Sequence, residues 1–448
     1  LDFGISRTEW KTFDASALTD FVFVPSASHE HELCKTCLLS ANFDSTGASN
    51  VATSCGLIAA ALNMIEEHFS PRPLAAMARL SFLFAVLLSF SCAATTNRPP
   101  SGPGITYEAQ EVPDAPWSIH VVKIERGRAD LGFETTLGAN QQLGMGLVSD
   151  QLKSIPSDVG RVLAAINGDF YNYENKDYAG DPKGLQIVRG ELVSAPDEGR
   201  SCFWIDTAGN PRITNVQSRF TVTLPNGRSA PVGLNEERKD GAMVLFTKAF
   251  GSSTHAAFGT EIVIKRGTGT NWLPLAIGKT YFGEVQEVRT GTNCPVTADT
   301  IVLTVHPKVA GQVAGLKKGD VVRISTATSP DLEGIQTAIG GGPFLIHGQK
   351  INPDLGGFLR RRDPRTALGW NKKHFFLVVV DGRQKNSVGM TFAELATYML
   401  SKGCDEAINL DGGGSATLWV YGHVMNSPSE GHERPAANAL IVVRKAPH

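Results

Sequence analysis

The run Asp411-Gly412-Gly413-Gly414-Ser415 places a carboxylate at the entrance of three glycines. Glycine opens backbone conformations closed to other residues and lets another group approach the main chain closely. Consecutive amides in such a loop can form a nest for an anion. A carboxylate beside a cradle for negative oxygens suits chemistry on a charged ester, although an isolated glycine triplet is ordinarily just a tight turn. Three further features weigh against the plain turn: a second cluster at Gly340-Gly341-Gly342-Pro343, the basic stretch from Arg360 to Arg365, and Asp381 closing a strongly apolar run. A charge run is usually a solvated face. Arg360, Arg361 and Arg362 are assigned to that, and Arg365 is kept as the functional cation. Its planar guanidinium can bind anionic oxygens bidentately. His255, His347, His423 and His432 could serve as acids, but none has a partner nearby in sequence.

These residues need elements to hold them. "RTALGW" and "HFFLVVVD" read as two strands joined at Asn371 to Lys373, and pairing Trp370 with His374 sets Arg365 opposite Val379 and Asp363 opposite Asp381. "TFAELATYMLSKG" predicts a helix, with a capping box from Thr391 to Glu394, an apolar stripe at Phe392, Leu395, Ala396 and Met399, and a stop at Gly403. "AINL" then reads as a buried strand ending at Asp411. Strand, helix and strand make a C-terminal βαβ unit that sets Asp381 and Asp411 at the carboxyl ends of parallel strands, about 5 Å apart if adjacent and about 10 Å with one strand between. Further upstream, a buried strand from Val162 to Ile166 runs out at Asn167-Gly168, and "KGLQIVRGELVSA" looks like a hairpin. Residues 202–332 are almost purely β in pattern, with "PNG" and "AGN" at turn positions, and read as a β-rich subdomain.

Composition narrows the partners. Of 448 residues, 42% are hydrophobic, enough for a large core, and the formal charge of -2 argues against nucleic acid as a partner. Met77 opens a segment with Arg79, an apolar run from Leu80 to Phe90 and small residues around Cys92, Ala93 and Ala94. Residues 77–94 therefore read as a signal peptide or lipoprotein signal, and 95–104 as a linker, so that an exported location (periplasm, cell envelope or outside the cell) is expected. Cys92 offers a membrane tether if it is acylated. Residues 1–76 contain no methionine before Met64 and read as a non-native or disordered upstream segment, in which His29, His31, Cys34 and Cys37 have zinc-like spacing. Of seven cysteines, Cys202, Cys294 and Cys404 lie beyond the leader, so at most one disulfide is expected there.

"AINGDFY", "GGGPFLIHG", "RDPRTALGW", "VVVDGR", "GMTFAELATYMLSKGCDEAINLDGGGSATLWVYG" and "VMNSPSEGHERPAANALIVV" occur here in the order found in the phosphodiester glycosidase family, and the chain from Ala164 to Val443 resembles it. The resemblance implies a domain over residues 105–446 with an α+β fold, mixed β-sheets flanked by helices. It also implies hydrolysis of a sugar-1-phosphodiester, such as one of N-acetylglucosamine, on an exported glycan or glycoconjugate. Carried over position by position, it marks Asn167, Gly168, Gly340 to Pro343, Arg365, Thr366, Asp381 to Arg383, Asn409, Asp411 to Ser415, Asn426 and Arg434; Asp169 departs from the small residue common there. Asp411, Asp381 and Arg365 are then the catalytic candidates. Arg383 and Gly412, Gly413, Gly414 and Ser415 would hold phosphate, Asn167 and Asn409 would orient sugar hydroxyls, and Gly168, Gly341, Gly342, Thr366, Asn426 and Arg434 complete the substrate site. No cofactor is required on this reading, although a divalent cation beside the aspartates is compatible with it. Two other readings use the same residues: a glycoside hydrolase or lyase acting on a non-phosphorylated surface polysaccharide, and a non-catalytic glycan-binding lipoprotein.

Overall fold

The computed structural model describes residues 101–269, 271–356 and 360–446. The leader features, Cys92 and the His29 to Cys37 cluster lie outside the described residues. Strand dominates, and four sheets of eight, eight, five and five strands account for the architecture. Among the described residues every strand pair is antiparallel except the short one between Gly233–Leu234 and Met243–Phe246. Among the described residues the only α-helices are Val148–Gln151 and Phe392–Ser401. The expected α+β fold of helix-flanked sheets is therefore corrected to a β-rich fold in which most sheet faces are covered by other sheets. The reason lies in strands apolar on both sides, such as His374–Val380 and Ala439–Arg444. These need cover on two faces, and a neighbouring sheet supplies it as well as a helix does.

The first eight-stranded sheet carries the site. In it Arg365–Trp370 lies between His374–Val380 and Glu406–Asn409, antiparallel to both. The two outer strands thus run the same way with one strand between them, as the βαβ reading requires. One face of this sheet packs through Leu368, Leu377, Val379 and Ile408 onto the five-stranded sheet of Arg161–Asn167, Leu418–Val420 and Ala439–Arg444, through Leu163, Ile166, Leu418 and Leu440. The opposite face is covered by Phe392, Leu395, Ala396 and Met399 of the longer helix. That helix has its predicted cap: Glu394 N donates to Thr391 Oγ1 and Thr391 N to Glu394 Oε2.

The register differs by one residue from the sequence expectation. Arg365 faces Val380, not Val379, and Trp370 faces Phe375. Asn371 explains the slip: its Oδ1 accepts from the amides of Lys373 and His374, each at 2.9 Å, and its N donates to His374 O, leaving a two-residue turn where three were expected. Asp363 consequently pairs with Met390 and does not face Asp381. The second eight-stranded sheet is assembled from residues 217–329 around its own core, which includes Phe220, Leu245, Ile262, Tyr281 and Leu303. Cys202, Cys294 and Cys404 are buried and free.

Candidate functional site

The glycine loop follows directly from the strand Glu406–Asn409. Asp411 is anchored by its main chain: its N donates to Gly168 O at 2.8 Å, and its O accepts from Asn167 Nδ2 at 2.6 Å. Asn167 is fully buried, and its Oδ1 accepts from Thr366 Oγ1 (2.7 Å) and from Thr417 N (3.1 Å). One side chain thereby ties both ends of the loop to the Arg365–Trp370 strand. Asn409 acts similarly on the other glycine cluster, donating through Nδ2 to Gly342 O and Leu410 O. Close approach is also why Gly341 is glycine, since a Cβ there would sit 2.7 Å from Asn409 O. Both asparagine amides thus donate to the main chain around the cavity, and Thr366 donates to the Asn167 side chain. Gly168 lies against the Asn438 side chain.

The loop amides are largely spent inside the protein. Gly412 N donates to Asp411 Oδ1, Gly413 N to Pro364 O and Ser415 N to Gly412 O. An open nest of amides is therefore not what the loop presents. Gly413 has φ +61°, and a Cβ there would meet Arg383 Nη2 at 2.9 Å, so the turn brings the main chain against a guanidinium instead. Gly414 and Ser415 are buried beside Arg434, whose Nη2 donates to Ser415 Oγ at 2.7 Å.

A cavity of about 930 Å³ opens here, lined by Gly341, Gly342, Asp411, Gly412, Gly413 and five arginines: Arg200, Arg361, Arg365, Arg383 and Arg434. Each arginine is held from behind. Arg365 is 6% exposed, donates from Nε to Met390 O and from Nη2 to Arg361 O, and lies 4.1 Å over the Phe392 ring. Burial pushes its guanidinium down to about 10, which leaves it charged at neutral pH. Asp363 accepts from Arg361 Nε at 2.6 Å and from Arg383 Nε at 3.0 Å. Arg200 pairs with buried Asp169 at 2.9 Å and stacks on Phe170. Arg360, Arg361 and Arg362 are all exposed, as expected of a solvated face; Arg361 also borders the cavity, and Arg362 pairs outward with Glu394 of the helix cap.

Asp411 is the carboxylate of this cavity that no arginine side chain clamps directly. Burial pushes its carboxyl up to about 6, against the Ser415 hydroxyl, the Gly412 amide and the Arg434 charge, which favour the ionised form. Asp381 is placed differently. It is 2% exposed and absent from the cavity wall, accepting from His120 Nε2 (3.0 Å), Asn426 Nδ2 (3.2 Å) and Ser427 N (3.0 Å). Asn426 in turn accepts from Leu418 N and donates to Ala416 O, just past the glycine loop. Asp381 and Asn426 are thus brace and strut for the segment that follows Ser415.

Sequence reasoning missed Arg200, Asp363, His120 and the rim residues Met145 and Tyr173, which are 42% and 71% exposed. Only His120 left a signal, as the one titratable residue between apolar neighbours in "WSIHVV". Among the described residues no group of three or more His, Cys, Asp or Glu side chains gathers in a way that could hold a metal ion.

The β-rich scaffold thus gathers Asp411 and five guanidinium groups in the wall of one cavity. Residues 275–443 match the family model of the phosphodiester glycosidases. The chain is similar to the SPbeta prophage-derived uncharacterized protein YomE of Bacillus subtilis, 36% identical over 85 residues, which is 19% of this chain and 13% of that one. It is also similar to N-acetylglucosamine-1-phosphodiester alpha-N-acetylglucosaminidase of Bos taurus, 42% identical over 67 residues, 15% of this chain and 12% of the relative. The matched segments thus span about an eighth of those relatives. A hypothetical protein from Synechocystis shares the fold, with a TM-score of 0.62 at 17% identity over 76% of this chain and 62% of the other.

Proposed function

We propose that this protein hydrolyses the glycosidic bond of a sugar-1-phosphodiester, releasing the sugar from its phosphate. The observation that carries the reading is the cavity itself, where five arginines surround the glycine loop and Asp411. Guanidinium groups already ordered by Asp363, Ser415, Asp169 and Phe392 bind a phosphodiester without reorganising at the moment of reaction. As the bond to the anomeric carbon breaks, negative charge grows on the departing phosphate and positive charge on the sugar. The arginines stabilise the first. Asp411, ionised above about pH 6, stabilises the second and accepts the proton of the attacking water. A phosphate is a good leaving group, which fits a cavity without a free second carboxylate in its wall, since Asp363 is held between two arginines. The bovine relative's name supports N-acetylglucosamine as the first sugar to test.

The arginines supply the charge for which other phosphate sites use a cation, so treatment with EDTA is expected to leave the rate unchanged. The leader-like residues 77–94 support placing the reaction outside the cytoplasm, with Cys92 as a tether. The deciding experiment measures free sugar released from UDP-N-acetylglucosamine and from p-nitrophenyl α-N-acetylglucosaminide, with the protein and its Arg365→Ala variant. Release from the phosphodiester alone, lost in the variant, supports the reading. Release from the nitrophenyl sugar alone, unaffected by Arg365→Ala, overturns it in favour of an ordinary glycoside hydrolase.

A further inference from the structure

The glycine loop runs between two separate groups of cations. Asp411 N donates to Gly168 O at 2.8 Å, and Gly413 N donates to Pro364 O at 2.9 Å. A Cβ on Gly412 would lie 3.7 Å from the Cα of Arg365. Arg361, Arg365 and Arg383, linked through Asp363 and the Arg361 carbonyl, therefore stand on the flank toward which the loop leaves Asp411. Arg200 stands on the other flank. Asp169, next in sequence to Gly168, accepts from Arg200 Nη2 at 2.9 Å. Lys183 precedes Gly184, where a Cβ would lie 3.8 Å from Arg200 Nε, and both cations line the cavity.

A phosphodiester carries one negative charge on two free oxygens, and the Asp363 flank already sets three guanidinium groups against a single carboxylate. The cations of the other flank are left without an anion. Lys183 is exposed, and among the described residues no carboxylate stands within ion-pair distance of its ammonium. Burial pushes the Asp181 carboxyl up, so that nearby group offsets the lysine charge little. Arg200 has its Nη2 held by Asp169 and its plane 5.0 Å over the Phe170 ring, and its Nε is buried. Its Nη1 has no hydrogen bond among the described residues and remains open to the cavity. Asp169 itself is 1% exposed and occupies a position where the phosphodiester glycosidases commonly carry a small residue. Gly184 and Gly340 make room for it, since Cβ atoms there would fall 3.0 Å and 2.2 Å from Asp169 Oδ2. A buried ion pair adds little net stability. What this one does is fix a guanidinium in the cavity wall with one edge free.

With Asp411 at the anomeric carbon, a phosphate on the Asp363 flank sets the sugar ring toward Arg200. We infer that this sugar is itself anionic, with a carboxylate or phosphate on its ring held by Arg200 Nη1 and the Lys183 ammonium, and that Asp169 is the positioning residue for Arg200. Either anion can accept from a guanidinium and an ammonium at once. A ring with hydroxyls alone leaves both cations unmet. The inference rests on the phosphodiester glycosidase reading and narrows its sugar to an acidic one.

The test uses methyl 1-phosphodiesters of N-acetylglucosamine, glucuronic acid, N-acetylmuramic acid and N-acetylglucosamine 6-phosphate. At least one acidic diester should exceed the N-acetylglucosamine diester in kcat/KM by about tenfold, and Arg200→Gln should remove that preference. The two carboxylate arms and the phosphate arm decide which anion is taken. Lys183→Gln, at an exposed position, should reduce the same preference, and it keeps the test readable if Arg200→Gln strands Asp169 and unfolds the protein. Asp169→Gly should shift the ratio of the rates toward the neutral diester, whereas a merely structural role would lower both alike. An N-acetylglucosamine diester that no acid exceeds, or variants that slow all diesters alike, overturn the inference and leave the glycosidase reading standing. If no diester is cleaved, that reading fails, and calorimetric binding of the free sugars decides the subsite by itself. An acidic sugar bound more tightly than N-acetylglucosamine, with the difference lost in Arg200→Gln and kept in Arg365→Ala, supports the subsite. Equal binding of acidic and neutral sugars overturns it.

Discussion

At the scale of single residues, Asp411 carries the most consequence, and its raised carboxyl predicts two effects. Asp411→Asn should lower kcat by about a thousandfold or more, the loss the proposed function requires of the carboxylate at the anomeric centre. In the unaltered protein the rate should rise as pH passes about 6, where Asp411 ionises. The same shift costs stability. A carboxyl whose folded pKa lies above its unfolded value binds more protons when folded, so stability falls as pH rises from about 4 to about 6 and stays lower above that. Asp411→Asn should therefore be the more stable protein at pH 7, by at most about 3 kcal/mol, and the gap should close by pH 4. Chemical denaturation at the two pH values checks this. Arg365→Lys is a second probe. A lysine keeps the charge but loses the planar stack on Phe392 and the paired bonds to Met390 O and Arg361 O. It should cost roughly tenfold to a hundredfold in kcat/KM on a phosphodiester, measured by steady-state kinetics.

At the scale of elements, the loop from Asp411 to Ser415 works by how closely its main chain approaches its neighbours. Gly413→Ala puts a Cβ at a positive φ and against Arg383. It should reduce kcat/KM at least tenfold while costing only about 1 kcal/mol of stability in thermal unfolding, because the strain is confined to the cavity wall. Asn167→Ala should do the opposite in proportion. It strips buried partners from Asp411 O, Thr366 Oγ1 and Thr417 N, and unfolding should show a loss of about 2–4 kcal/mol. These elements also show what a sequence reveals. The helix Phe392–Ser401 was legible because cap, apolar stripe and terminal glycine all lie within one short stretch, and the strand ends at Asp381 and Asp411 because an apolar run stops there. The register at Asn371 was not, because a side-chain bond to two amides decided between a two- and a three-residue turn. Arg200, Arg361 and Asp363 were hidden for another reason: their functional contacts join separate elements, and no local period marks them. Asp381 was found as a residue, yet its surroundings depend on His120, 261 positions away. The helix-flanked α+β expectation failed on the same ground, since apolar strands do not say whether a helix or another sheet will cover them.

At the scale of the whole molecule, the cavity is built from remote pieces. Asn167 closes the strand Arg161–Asn167, Arg200 precedes Ser201–Ile205, and Arg365 and Asp411 come from beyond the second eight-stranded sheet. A fragment of residues 275–443 contains the family match but not Arg161–Asn167, the strand that lies between Leu418–Val420 and Ala439–Arg444. Expressed alone, it should show no cooperative thermal transition by circular dichroism, because an inner strand and its buried partners are missing. Ala439–Arg444 has its own bearing on the time course of biosynthesis. It fills the gap between Arg161–Asn167 and Leu131–Thr135, so a nascent chain that has not yet passed residue 444 holds two unpaired strand edges and no finished cavity. A chain truncated ahead of this strand should accordingly be inert toward the diester and prone to associate through the two edges left open.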